Sequence, residues 1–125
     1  MQTDRPVNLS LFKHFSWPLA ALVSISHRIT GAILFVGVGF GLYALDMALS
    51  SAAGFDAAAA MLAEPIPKLM MLALLFVLTF HLVAGVKHLL LDVHIGDSLQ
   101  GVKAGSIVVI VVSLAVTGAL GGLLW

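Results

Sequence analysis

The chain has 125 residues, of which 61% are hydrophobic and 10% charged, with a mean hydropathy of +1.13. A soluble domain carries about 25% charged and about 45–50% apolar residues, so this composition belongs to a membrane protein. The absence of cysteine excludes disulfides, iron–sulfur ligation and covalent haem attachment, and six basic against six acidic residues leave no electrostatic footprint for nucleic acid.

The first 18 residues carry Asp4, Arg5, Lys13 and His14 with Pro6 and Pro18, and contain no uninterrupted apolar core of a signal peptide. The amino terminus is therefore expected to be retained. Three segments then follow, each long enough to cross a hydrocarbon core of about 30 Å, which takes roughly 20 helical residues. They run from about Leu19 to Leu49, from about Ile66 to Leu91 and from about Ser106 to Trp125. The expected fold class is all-α, a single transmembrane domain over residues 1–125. Gly37 with Gly41, and Gly118 with Gly122, match the small-residue spacing that lets membrane helices approach closely.

The first connection, SSAAGFDAAAAMLAEPIP, mixes small residues with Asp56, Glu64 and two prolines, and reads as an interfacial loop with one short helical turn. The second, DVHIGDSLQGVKAG, is polar and contains three glycines. Positive charge sets the orientation. Arg5 and Lys13 precede the first span and Lys87 and Lys103 flank the second connection, whereas the first connection carries Lys68 beside Asp46, Asp56 and Glu64. The amino terminus and second connection are thus expected inside the cell, and the carboxyl terminus outside.

In HLVAGVKHLLLD, His81, Gly85, His88 and Asp92 recur at helical spacings and share one helix face. His81 sits roughly 16–20 Å from either end of its segment at 1.5 Å per residue, near the bilayer centre. An imidazole at that depth needs partners for both ring nitrogens, and ionisable groups in spans usually face the bundle interior. Axial ligation of a b-type haem supplies one partner and a carbonyl or water the other. Gly85 leaves room for a flat porphyrin. A hydrogen bond to a neighbouring helix or a proton relay satisfies the same need. His88 and Asp92 lie nearer the inner end, where they serve as an interfacial anchor or, for His88, as a contact to a haem propionate.

In SISHRITG, Ser24, His27, Arg28 and Gly31 also share one face. Arg28 near the hydrocarbon boundary either snorkels to the inner headgroups or binds an anion, and haem propionates and the oxygen of a reduced quinone are the candidates at that depth. Ser24, one turn toward water, is placed to donate to a quinone carbonyl. Depth alone leaves both His27 and His81 as ligands to one iron, since each lies roughly 10–11 residues from the inner end of its helix.

RPVNLSL (Arg5 to Leu11), SISHRITG (Ser24 to Gly31) and HLVAGVKHLLLD (His81 to Asp92), in that order across three spans, resemble the cytochrome b membrane-anchor subunit of bacterial succinate dehydrogenase, respiratory complex II. The resemblance covers essentially the whole chain. It implies a three-helix anchor paired with a second three-helix anchor subunit, together holding the flavoprotein and iron–sulfur subunits on the bacterial inner membrane. One haem b is then shared between the anchors, with His81 as this chain's axial ligand and the second ligand from the partner. His27, Arg28 and His88 would lie at the propionates, and Ser24 and Arg28 would match the ubiquinone-site serine and arginine. The chain itself, without a dinucleotide fingerprint or flavin motif, would contribute binding rather than hydride chemistry. Two positions depart from the family pattern. Lys87 stands where arginine is usual and cannot reproduce a bidentate contact, and Leu91 stands where an aromatic or methionine is usual. Other functions that fit the residues are a fumarate reductase anchor using menaquinone, a haem-free structural anchor and a proton-conducting bundle.

Overall fold

The computed structural model describes residues 17–124, and the Arg5–Leu11 motif and Lys13 lie outside them. Four helices follow one another: α1 (Leu19–Ser50), α2 (Ala52–Ala63), α3 (Pro65–Asp92) and α4 (Leu99–Leu124). Three of them, α1, α3 and α4, are long and apolar enough to cross a membrane. The architecture is the expected all-helical membrane bundle.

Local chemistry sets each boundary. Pro18 is extended and its carbonyl accepts the first α1 bonds, from the N–H groups of Ala21 at 2.9 Å and Leu22 at 3.2 Å. Ser51, also extended, ends α1 and caps α2, its hydroxyl oxygen accepting from the Gly54 N–H at 2.9 Å. Glu64 is pushed out of the helical region by the proline that follows, and Pro65 opens α3, where its missing N–H costs nothing. At the other end of α3, His94 adopts φ 61° while its N–H donates to the Leu91 carbonyl at 3.0 Å and the Ile95 N–H donates to the Leu90 carbonyl at 2.8 Å. That pair of bonds is a Schellman motif. A histidine takes the left-handed position that glycine usually holds, and Ile95 and Leu90 line a common groove beneath it.

Two connections differ from expectation. The first contains a helix of 12 residues, not one turn, which folds back on α1 through alanines: Ala58 and Ala44 are both buried in the region they share with Ala48 and Phe55. The second is shorter than expected, because α4 begins at Leu99 and not at Ser106. Ser98 starts it, its hydroxyl oxygen accepting from the Gly101 N–H at 3.1 Å and its carbonyl from the Val102 N–H at 2.8 Å. Gly101 and Gly105, which read as loop residues, are contact residues instead. A Cβ on Gly101 would lie 2.6 Å from the Gly96 carbonyl oxygen, and one on Gly105 would lie 3.4 Å from the Lys87 Cε.

The core is small and sits where α1, α3 and α4 meet: Val23, Phe80, Ala84 and Val109, flanked by Phe76, Val83 and Ile110. Ser106 and Ser113 are fully buried on α4 because each hydroxyl donates to a carbonyl four residues back, at 2.8 Å and 2.6 Å. The glycine pairs divide in function. Gly37 faces Leu74 on α3, but Gly41, Gly118 and Gly122 have open space beside them, so neither pair forms a continuous seam within the chain.

Gly101→Ala should destabilise the α3–α4 hairpin by about 1–3 kcal/mol, since the obstruction is backbone and cannot swing aside. Gly39→Ala, where nothing stands within 4 Å, should be neutral or stabilising by up to about 1 kcal/mol. Thermal unfolding in detergent, followed by circular dichroism, separates the two, and equal shifts would contradict the assigned packing.

Candidate functional site: a histidine groove between α1 and α3

The structure brings His27, His81 and His88 together. All three line an open groove of about 410 Å³ with Leu82, Gly85, Val86 and Leu89. Its walls are otherwise apolar, and its volume lies within the usual range of small-molecule sites, about 300–1,000 Å³. Spacing along α3 puts His81, Gly85 and His88 on one stripe, as expected, while Asp92 is exposed at the helix end and does not line the groove. Among the described residues no group of three or more histidine and acidic side chains is arranged to hold a metal ion by itself.

The His81 ring is fixed by α1. Its Nδ1 lies 3.0 Å from the His27 carbonyl oxygen and 3.1 Å from the Thr30 hydroxyl oxygen, and that hydroxyl donates to the same carbonyl at 2.8 Å. A carbonyl oxygen can only accept, and the one Thr30 proton is already directed at it. Nδ1 must therefore carry the hydrogen, and the lone pair is left on Nε2. Contact with the helix is close because residue 31 is glycine: a Cβ there would stand 3.0 Å from the His81 Cε1.

The His27 ring lies flat on that of His81, with centroids 4.0 Å apart and an interplanar angle of 11°. Two histidines that bind one ion from opposite sides meet end to end, each with the metal in its ring plane at about 2 Å. Face-to-face stacking does not offer that arrangement, so His27 and His81 are not opposed across one ion. The His88 ring is tilted by 57° against His27 at 5.2 Å, at the other end of the row. Gly85 lies beneath His27, where an added Cβ would be 3.4 Å from Nε2.

Ser24 and Arg28 occupy α1 toward its amino-terminal end. Ser24 is half-buried and Arg28 exposed, and neither side chain hydrogen-bonds another described residue. Lys87 points elsewhere. Its stem lies along Gly105 of α4 and it lines the groove between α3 and α4, not the one that holds the histidines. Leu91 lines that second groove as well. Thr30 was not among the residues singled out from the sequence, although it follows His27 by three positions and so shares its face.

Haem b fits the residues present on one observation: the His81 ring lines the groove with its Nδ1 already hydrogen-bonded to the His27 carbonyl, as metal-binding histidines normally are.

The residues from 1 to 120 match the family model for the succinate dehydrogenase/fumarate reductase transmembrane subunit. Among curated proteins, the chain is 35% identical over 126 residues to a succinate dehydrogenase cytochrome b556 subunit from Coxiella burnetii, covering 100% of both chains. It is 32% identical over 120 residues to a succinate dehydrogenase cytochrome b556 subunit from Paracoccus denitrificans, covering 90% of this chain and 92% of that one. With the family model spanning nearly its whole length and two relatives aligned end to end, the chain belongs to the succinate dehydrogenase/fumarate reductase transmembrane-subunit family.

Proposed function

We propose that this chain is the haem b-binding anchor of a succinate dehydrogenase, and that it helps bind and reduce ubiquinone with electrons from succinate. The single observation that carries the haem assignment is the polarised His81 ring, with Nδ1 committed to the His27 carbonyl and Nε2 left over. His81 would be this chain's ligand to the haem iron, and another three-helix anchor subunit would supply the second. When bound, haem supplies a one-electron redox centre inside the bundle. The names of both curated relatives favour succinate oxidation over fumarate reduction with menaquinone.

His27, in the middle of the row, and His88, at its end, are placed by this reading at the propionate edge, together with Arg28. An imidazole N–H donates to a carboxylate more strongly when the pair is removed from water. Ser24 and Arg28 hold ubiquinone, with the hydroxyl donating to one carbonyl oxygen and the guanidinium stabilising negative charge as it develops there. Fixed positive charge is worth more in such a low-dielectric site than in water. The exposure of Arg28, and the lack of a side-chain hydrogen bond from either residue to another described residue, support this role, because a pocket built from three subunits leaves each contribution unpaired in one of them. Succinate is oxidised on the flavoprotein subunit, and electrons reach the quinone through the iron–sulfur subunit. The inner membrane holds the complex, with the amino terminus and the 93–98 connection on the cytoplasmic side and the carboxyl terminus in the periplasm.

In the purified complex, His81→Ala should abolish the b-type absorption bands of the dithionite-reduced protein while the subunits still co-purify. Unchanged bands would reject the ligand assignment. Arg28→Leu should lower succinate:ubiquinone reductase activity by about 100-fold, in line with the loss of one charge-stabilising donor, and leave succinate oxidation by an artificial acceptor unchanged. Equal loss of both activities would instead mean that Arg28 serves assembly.

A further inference from the structure

The turn of α1 from His27 to Gly31 does more than carry residues toward the groove. Three of its groups converge on the His81 ring: the His27 carbonyl and the Thr30 hydroxyl meet Nδ1, and the bare Cα of Gly31 faces Cε1. We propose that this turn is a preformed cradle for the α3 ligand and that Thr30 is its positioning residue, setting which nitrogen of His81 is offered to iron and in what ring orientation. The inference rests on the haem reading of His81.

The hydrogen-bond directions give Thr30 this role. Without Thr30 the carbonyl of His27 would still accept from Nδ1, but a single acceptor leaves the ring free to pivot about that bond. With the hydroxyl present, Nδ1 faces two oxygens at 3.0 Å and 3.1 Å, and these two are tied together at 2.8 Å. A ring held by a triangle has one orientation. Thr30 is buried, at 8% exposure, so no water competes for its hydroxyl. Donation from Nδ1 also makes Nε2 more basic, which strengthens its bond to a metal. On the other edge, a side chain at residue 31 would press on the ring at Cε1 and shift it by a few tenths of an ångström. Thr30 and Gly31 thus act on His81 as acceptor and clearance.

The test compares Thr30→Val, which keeps the shape and removes the hydroxyl, with Thr30→Ser, which keeps the hydroxyl and removes the methyl. Each is made in the full complex and read in two ways: the rate at which haem passes to an excess of an apoprotein acceptor, and the low-spin ferric electron paramagnetic resonance spectrum. The second responds to the orientation of the axial imidazole planes and not to stability. Thr30→Val should lose haem at least about 10-fold faster, as other substitutions beside metal-bound histidines do, with a shifted or broadened spectrum. Thr30→Ser should match the unaltered protein in both. Gly31→Ala should shift the spectrum as Thr30→Val does. If valine prevents assembly, Thr30→Ala, which adds no bulk, is read against serine in the same way.

A normal spectrum and normal haem retention in Thr30→Val would overturn the proposal, as would a serine variant that behaves like valine, since the methyl group would then be responsible. His81→Ala, run in parallel, keeps the two readings apart. If that variant retains its haem, the ligand assignment itself has failed. If it loses haem while Thr30→Val is normal, only the cradle has failed.

Discussion

One hydrogen bond, from the His81 Nδ1 to the His27 carbonyl, joins the two halves of the site. It crosses between α3 and α1 at a depth where water is scarce, and an imidazole left without a partner there would cost several kcal/mol. The same bond decides the tautomer, and the tautomer decides which nitrogen keeps its lone pair for a metal. Packing supports it at the same level: Phe80 and Ala84 flank His81 along α3 and bury against Val23 of α1 and Val109 of α4. Were α1 displaced, the ring would lose both its acceptors and its stacking partner His27 together.

The bundle around this bond is sparsely packed, and the distribution of its exposed residues is informative. Large apolar side chains such as Phe35, Val36 and Leu49 are more than 70% exposed, as suits helices that face lipid or other helices. The histidine groove opens outward in the same way and is closed by no described part of the chain. A site that ends in open grooves and unpaired donors is one contribution to a larger assembly. This agrees with membership in a family of transmembrane subunits, and with the lack of a side-chain hydrogen bond from Ser24 or Arg28 to another described residue.

Much of this was legible in the sequence, for reasons that can be named. Hydropathy and length fix the three spans because the bilayer imposes a length on every crossing helix. The stripe His81, Gly85, His88 follows from the pitch of a single helix and needs no knowledge of its neighbours. What depended on neighbours was hidden. Gly101 and Gly105 look like loop glycines, yet they are helical, and their close neighbours, the Gly96 backbone and the Lys87 stem, belong to other parts of the chain. The alanine-rich first connection forms the α2 helix because α1 offers a surface for Ala58. Lys87 adjoins His88 in the sequence, but one residue of helix rotates a side chain by about 100°, toward α4. Thr30 carried no signal of its own, since a threonine in a helix ordinarily bonds its own backbone and its second contact is created by α3.

The central claim is that His81 offers Nε2 to a haem while α1 holds Nδ1. A structure of the assembled complex, purified with its haem and determined by electron cryo-microscopy, tests this directly. Iron should be bonded to the His81 Nε2 at about 2 Å, a typical metal–imidazole length, with Nδ1 still within hydrogen-bonding distance of the His27 carbonyl. Iron bound by His27 instead, or a His81 ring turned so that Nδ1 faces the haem, would contradict it.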